Sequence, residues 1–339
     1  MYNRYFYRTL TSLVTALIFI GPLTLHSQNC EKVRLADFPP SDLPSKFDTS
    51  GAEQEKWKNW GAYKFYYGIG VPVDYVKARH LAFFEMALNR EEDDPFAGAS
   101  ILMMLYANGF GVKRDLNLSI RLACANVGFA EAEIEGRVEH LKKLSSGEFK
   151  EVFDLCDDIT SGYMMGFCAG VHSEMDSIRR QKTIDSVMKG WPKKDSEAYA
   201  TLRKAASDYF KERVFSEVDM SGTARAAEEV GEQETLEESF KEKIVTADKC
   251  GFTLYKDGQL NDADKELNNV YSKVMNAKDP IWGTVTKQRI RATQRAWLRY
   301  RDAWVIFGAV RCPEVTASSL KTLLTKERTL QLGEFIDQK

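Results

Sequence analysis

The sequence predicts an all-α protein in which a short helical-hairpin solenoid precedes one or two small helical bundles. Three observations support this fold class. A glycine-containing turn between Ala- and Leu-rich segments recurs after 41 positions, only three prolines follow Val152, and residues 281–308 place large apolar side chains at helical intervals. The 339 residues are 44% hydrophobic and contain 47 Lys and Arg against 49 Asp and Glu. This composition is typical of a globular chain of about two domains, and its near-neutral charge argues against a nucleic-acid partner.

Residues 1–27 are predicted to be a secretory signal peptide. Two arginines precede an apolar run from Leu10 to Leu25, and the segment contains no acidic residue. An uncleaved anchor is disfavoured, because Gly21-Pro22 interrupts a run shorter than the roughly 20 residues that span a bilayer. Lipidation of Cys30 is disfavoured because the polar pair Gln28-Asn29 precedes it. We therefore expect a periplasmic or secreted protein that is not stably inserted in a membrane after cleavage.

Export would allow the cysteines to pair, because the compartment is oxidising. Six cysteines permit 15 connectivities, which the sequence alone leaves open. The disulfide candidates are Cys30, Cys124, Cys156, Cys168, Cys250 and Cys312. No C-x-x-C motif is present, which argues against a redox centre and a zinc ribbon.

Residues 28–55, which contain Pro39, Pro40 and Pro44, are predicted to be an irregular linker. An internal repeat then occupies residues 56–148. Six positions of the first copy match six positions of the second, namely Gly68, Gly70, Val71, Asp74, Leu81 and Ala82 with Gly109, Gly111, Val112, Asp115, Leu122 and Ala123. Each copy predicts a helix that ends at a glycine with positive φ, followed by a helix capped by the aspartate.

Such hairpins bury their apolar faces by stacking on one another. A third start at 128–132 lacks the glycine turn and is predicted to cap the stack. The turn and the Ala-rich second helix resemble the Sel-one-like repeat, a relative of the tetratricopeptide repeat, with Tyr106 in the second copy and Phe65 in the first. Members of that family are usually adaptors, so the resemblance implies a protein-binding scaffold.

One face of the predicted helix over 281–308 contains an amide, a guanidinium and two indoles. Large aromatic residues at helical spacing most often belong to a core, whereas a stripe rich in Trp and Arg is also typical of recognition surfaces. Both interpretations stay open at this point. The candidate partner-binding residues are Gln294, Trp297, Tyr300, Arg301 and Trp304.

The string Gln-Arg-Ala-Trp-Leu-Arg-Tyr-Arg-Asp at 294–302, preceded by Leu-Asn-Asn-Val-Tyr at 267–271, resembles the LprI-type lysozyme-inhibitor domain. The resemblance places such a domain at 246–339 and implies a protein partner, a lysozyme or another envelope muramidase. It also implies cysteine staples, for which Cys250 and Cys312 are candidates, and a late helix containing Arg328. Inhibition would be steric and would need no catalytic residue.

Residues 152–245 are predicted to be a degenerate copy of the same domain. The spacing of Cys156 and Cys168 resembles that of the paired cysteines at the start of this domain type, and 205–209 is comparable with 296–300. The copy lacks both tryptophans and the Gln-Arg-Ala-Trp string. The second copy lacks the early cysteine partner, since Asp262 stands there.

An acidic run near residue 230 either attracts a basic protein such as a lysozyme or forms a solvated face. It consists of Glu228, Glu229, Glu232, Glu234, Glu237 and Glu238.

The sequence predicts a protein that is not an enzyme and has neither a cofactor nor a metal. His80, His140 and His172 remain after signal removal, and none lies in an H-E-x-x-H motif. A G-x-S-x-G elbow is missing, and Cys168 near His172 would be inert once oxidised. Two alternatives stay open: a peptidoglycan-active enzyme with an unidentified carboxylate pair, and a purely structural scaffold.

Overall fold

The computed structural model is all-α, as predicted, and describes residues 33–44, 61–88, 94–125, 129–278 and 280–337. A 3-10 turn (Leu35–Asp37) precedes eleven α-helices, and these ranges contain no strand. The predicted signal peptide, residues 1–27, and Cys30 lie outside the described residues. The helices are α1 (Ala62–Tyr67), α2 (Tyr75–Ala87), α3 (Ala99–Asn108), α4 (Leu116–Ala125), α5 (Glu131–Ser146), α6 (Gly162–Met188), α7 (Lys193–Glu217), α8 (Arg225–Asp248), α9 (Gln259–Asn276), α10 (Lys287–Arg311) and α11 (Ala317–Asp337).

Helices α1 to α4 form two hairpins with the same turn. α1 and α3 end at Gly68 and Gly109, whose φ angles of 74° and 71° lie in the left-handed region that favours glycine. The carboxylates of Asp74 and Asp115 each accept a hydrogen bond from the N–H three residues later, at 3.0 and 2.9 Å. Their own N–H groups both donate to the carbonyl nine residues earlier, at 3.0 Å. These contacts confirm the predicted glycine turn and aspartate cap, while the Sel-one-like assignment stays a prediction.

The described part of the predicted linker packs against the hairpins. Phe38 is 3% exposed, and its ring lies 4.8 Å from that of Phe83. The Tyr106 hydroxyl donates to the Asp42 carboxylate at 3.0 Å. Residues 33–44 therefore pack against the helical hairpins. The sequence did not predict this contact, since proline content indicates an irregular backbone but not whether that backbone is buried.

Two hydrophobic cores lie along the chain, and α6 contributes to the first. That core contains the apolar faces of α1–α4 together with Met164, Cys168 and Val171 of α6. The second core combines α7 and α8 with α9, α10 and α11. The predicted boundary between residues 245 and 246 lies inside α8, and residues on both sides share the second core. The domain limits stay a prediction, but the C-terminal helices fold around one common interior.

Two disulfides have the partners that the LprI resemblance implied. Cys156 pairs with Cys168, with Cα atoms 5.8 Å apart, and Cys250 pairs with Cys312, with Cα atoms 5.4 Å apart. Cys124 is also disulfide-bonded. The first bridge closes the loop before α6, and the second ties the end of α8 to the end of α10.

Candidate functional site

Helix α10 lies at the centre of the C-terminal bundle and has a buried and an exposed face. It begins at Thr286, whose side chain accepts a hydrogen bond from the N–H of Arg289 at 3.3 Å. Its buried face packs along α7 and α11. The helix is amphipathic: the stripe of side chains that faces α7 and α11 is buried, and the side chains on the opposite side are available to a partner.

The large aromatic residues of the predicted stripe belong to the core. Trp297, Tyr300 and Trp304 are 2%, 4% and 1% exposed. Tyr300 stacks on Tyr209 of α7, with ring centroids 5.1 Å apart, and Trp304 makes an edge contact with Phe240 of α8 at 5.8 Å. Burial raises the pKa of the Tyr300 phenol well above its ordinary value, so the group stays neutral. Of the two interpretations left open by the sequence, these contacts support the core and not an exposed recognition surface for the three aromatic residues.

Gln294 accepts a hydrogen bond from a buried arginine of the bundle. Its side-chain oxygen accepts a hydrogen bond from Arg328 Nε at 3.0 Å. Arg328 is fully buried and binds both oxygens of Glu217, at 2.8 and 2.5 Å. Burial alone would lower the pKa of Arg328, but the charge of Glu217 and its hydrogen bonds raise it. Gln294 is partly buried, and its side-chain oxygen is occupied by this contact with a buried charge pair.

Arg301 reaches the edge of the same stripe and is partly accessible. Its guanidinium lies 5.0 Å from the Trp297 ring centroid and 3.5 Å from the Asp264 carboxylate of α9. Its side chain is 15% exposed. The accessible part of Arg301 could contact a partner, but its contacts with Asp264 and Trp297 hold α9 against α10.

The opposite face of α10 is exposed and has a net positive charge, with three arginines and the exposed Asp302. Arg291, Arg295 and Arg299 are four residues apart, so they form one row along the helix. All three are exposed, and no hydrogen bond or ion pair engages them within the described residues. Leu298 and Ile306, 39% and 59% exposed, lie on the same side. We call these five residues the outer arginine face.

The sequence contained a signal for this face that our prediction did not use. Arginines at positions i, i+4 and i+8 lie in the same string as the tryptophans. The sequence alone does not say which side of the helix faces solvent, so it could not tell the exposed row from the buried one. Residues 254–332 contain 14 Lys and Arg against 8 Asp and Glu, a net charge of +6, whereas the whole chain has −2. The positive charge is therefore concentrated in this part of the protein.

Half of the carboxylates in the acidic run on α8 form ion pairs with arginines of neighbouring helices. Glu237 pairs with Arg203 at 2.7 Å, and Glu234 pairs with Arg180. Glu232 pairs with Arg213 of α7. Three of the six carboxylates therefore hold α8 against α6 and α7, while Glu228, Glu229 and Glu238 are exposed. Attraction of a basic protein by this run stays a hypothesis.

Residues 254–332 match the family model described as Lysozyme inhibitor LprI. The match begins shortly before α9 and covers α9, α10 and most of α11. No curated protein and no solved structure matches the chain significantly. The C-terminal part of the chain is thus similar to a lysozyme-inhibitor domain over these residues, and the outer arginine face lies within the matched segment.

The described residues contain neither a membrane-spanning helix nor a metal-binding cluster of side chains. None of their helices is both long and apolar enough to cross a bilayer. No group of three or more His, Cys, Asp or Glu side chains among them is placed to hold a metal ion.

Proposed function

We propose that the chain is an exported inhibitor of a muramidase and that the outer arginine face enters the substrate cleft of that enzyme. The observation that carries the proposal is a row of three exposed, unpaired arginines within the segment that matches the lysozyme-inhibitor model. A lysozyme-inhibitor-like module and disulfides fit an extracellular or periplasmic protein, and the predicted signal peptide would provide export.

The chemistry of the target favours a guanidinium at this place. Lysozymes cleave the glycan with a pair of carboxyl groups that flank the scissile bond. Guanidinium groups bind carboxylates through two parallel, charge-assisted hydrogen bonds. Arg291, Arg295 and Arg299 would supply these contacts, while Leu298 and Ile306 add apolar area. Occupation of the cleft blocks substrate and requires no catalytic residue in the inhibitor.

We also propose that 152–245 is a degenerate copy that supports the inhibitory module. The segments 205–209 and 296–300, aligned with each other in sequence, lie on the paired helices α7 and α10, and their tyrosines stack on each other. On α7 the positions equivalent to Arg291, Arg295 and Arg299 are Ala200, Lys204 and Asp208. The copy therefore lacks the arginine row, and the repeats at 56–148 would serve as a scaffold.

A lysozyme assay with the oxidised chain tests the proposal. Clearing of a cell-wall suspension is measured against inhibitor concentration for the wild type and for Arg291→Glu/Arg295→Glu/Arg299→Glu. The matched control is Lys194→Glu/Lys204→Glu/Lys211→Glu, which changes three exposed lysines of α7 and the same net charge. We expect the arginine variant to weaken inhibition about tenfold or more and the control to change it by less than about twofold.

Three results would count against the proposal. Undiminished clearing at a large excess of wild-type protein would favour a scaffold. Release of muropeptides from sacculi by the protein alone would favour the enzyme alternative. An equal loss of inhibition in both triple variants would assign the effect to net charge and not to the outer arginine face.

A further inference from the structure

A cleft of about 830 Å³ lies beside the N-terminal half of α6, far along the chain from the inhibitor-like segment. Residues of α1, of the loop before α3 and of the first turn of α8 complete its walls. We call it the α6 cleft. Its charged lining residues are Asp94, Glu174 and Arg225, and Tyr63, Tyr163, Phe167 and Gly170 line it as well. Arg225 lies on the α8 wall, is exposed, and donates a hydrogen bond to the Gly222 carbonyl at 3.2 Å. Its volume is in the range of sites for small organic ligands.

Three glycines at four-residue spacing on α6 explain why the cleft exists. A Cβ atom on Gly162 would lie 2.1 Å from the Thr223 carbonyl oxygen, and one on Gly166 would lie 2.8 Å from the Ala226 Cβ. Glycine at these two positions therefore allows the start of α8 to approach α6 closely. A Cβ on Gly170 would meet no atom within 4 Å. One turn further along α6 there is thus open space, and this space belongs to the cleft.

The walls of the cleft are aromatic. Tyr163 is 54% exposed, and the centroid of its ring lies 4.8 Å from that of Phe167. The half-buried Tyr63 faces the same space, supported by Phe96 at 6.2 Å. Exposed rings that converge on one cavity are typical of ligand sites, whereas scattered surface aromatics need no explanation.

The end of the cleft near Tyr63 is electronegative. The carboxylates of Glu174 and Asp94 line it, and Glu174 is exposed. Burial, together with the charges of Glu174, Asp94 and Glu85, raises the pKa of the Tyr63 phenol to about 12. An anion is disfavoured in such a place, and a cation is attracted both by the carboxylates and by the ring faces.

We propose that the α6 cleft binds an ammonium group carried on an apolar stem. The stem would pack against Tyr163 and Phe167 above Gly170, and the ammonium would lie near Tyr63 and the Glu174 carboxylate. A free alkylamine and the lysine side chain of a peptide share this chemistry. The site is separate from the outer arginine face and does not depend on muramidase inhibition.

Calorimetric titration of the full oxidised chain tests this proposal. Pentylamine is compared with pentan-1-ol, which has the same stem without the charge, and with an acetylated, amidated lysine peptide. We expect pentylamine to bind with a Kd of about 1 mM and pentan-1-ol at least tenfold more weakly. Tighter binding of the peptide would identify a protein segment as the natural occupant, and tighter binding of the free amine would identify a small molecule.

Matched variants locate the binding in the cleft. Gly170→Leu fills the open space without a backbone clash, and its control is Gly231→Leu, another helical glycine with no atom within 4 Å of its Cβ. Glu174→Gln removes the charge, and its control is Glu135→Gln on α5, which is also exposed. We expect Gly170→Leu to abolish amine binding, Glu174→Gln to weaken it about fivefold, and both controls to bind like the wild type.

Other outcomes would overturn the proposal. Equal affinity for pentylamine and pentan-1-ol would show that the site does not select a cation. Binding of an N-acetylglucosamine oligomer without binding of the amine would make it a sugar site. Unchanged amine binding in Gly170→Leu, with a thermal midpoint at least as high as that of the wild type, would place the ligand elsewhere.

Discussion

Trp297 illustrates how a side chain typical of binding interfaces can serve a core instead. It is 2% exposed and lies under the guanidinium of Arg301, which in turn approaches Asp264 of the neighbouring helix. The sequence places indole and guanidinium groups on one stripe, but a stripe has the same spacing whether it faces a helix or solvent. Only the position of α7 and α11 decides that this stripe is internal.

We predict that Trp297→Ala lowers the free energy of unfolding by about 3–5 kcal/mol, because it removes a large buried ring and leaves a cavity. The neighbouring Leu298→Ala, at a position 39% exposed, should change it by less than about 1 kcal/mol. Urea unfolding followed by circular dichroism measures both values. A stable Trp297→Ala protein that had lost inhibition would contradict the assignment of this residue to the core.

At the scale of elements, the two N-terminal hairpins show a local pattern that the sequence specifies well. Gly68 and Gly109 supply the left-handed turn, and Asp74 and Asp115 cap the next helix. A glycine turn and a capping aspartate carboxylate both act on the backbone within a few residues of their own position, so their effect can be inferred without knowledge of distant contacts. The faces of the long helices are different, since their partners are distant in sequence.

We predict that Asp74→Ala and Asp115→Ala each cost about 1 kcal/mol of stability, because each leaves an N-terminal N–H of its helix without its acceptor. Asparagine at either position should retain most of the stability. The hydrogen bond from the Lys77 backbone lowers the pKa of Asp74 in the folded state. Its contribution is therefore complete above the unfolded pKa of about 4 and decreases as the pH falls further. Thermal melts between pH 3 and pH 7 test this; a penalty for Asp74→Ala that stayed constant over the range would contradict it.

At the scale of the whole molecule, disulfides connect distant parts of the chain. Cys156 and Cys168 are 12 residues apart, whereas Cys250 and Cys312 are 62 residues apart. The larger loop restricts the unfolded chain more strongly. The first bridge belongs to the first core and the second to the helical bundle that contains the inhibitor-like segment, so the stability of each part depends on oxidation.

We predict that replacing Cys250 and Cys312 by serine costs about 4 kcal/mol and that replacing Cys156 and Cys168 costs about 3 kcal/mol. Denaturant unfolding of the two double variants gives these values, and dithiothreitol should destabilise the wild type by at least as much as the larger of them. A wild-type midpoint that is insensitive to reductant would show that the bridges do not stabilise the fold.

The sequence was sufficient for the fold class, the hairpin turns and the inhibitor-like segment, because each depends on local spacing or on a continuous string. It was insufficient for the surface of that segment. Trp304 and Arg295 lie on opposite sides of the same helix, and packing against α7 and α11 decides which of the two sides is buried. The α6 cleft was not predicted, since Tyr63 and Glu174 come together only through tertiary contact.

The pairing of Glu217 with Arg328 has a practical consequence for dissecting this protein. The carboxylate comes from the end of α7, outside residues 254–332, while the guanidinium comes from α11, inside them. A fragment cut at the limits of the recognised segment would strand a buried cation without its counter-ion and would lose the tyrosine stacked on Tyr300. A fragment that keeps both contacts has to include α7, so the segment that matches the family model is smaller than the part of the chain that packs around this buried pair.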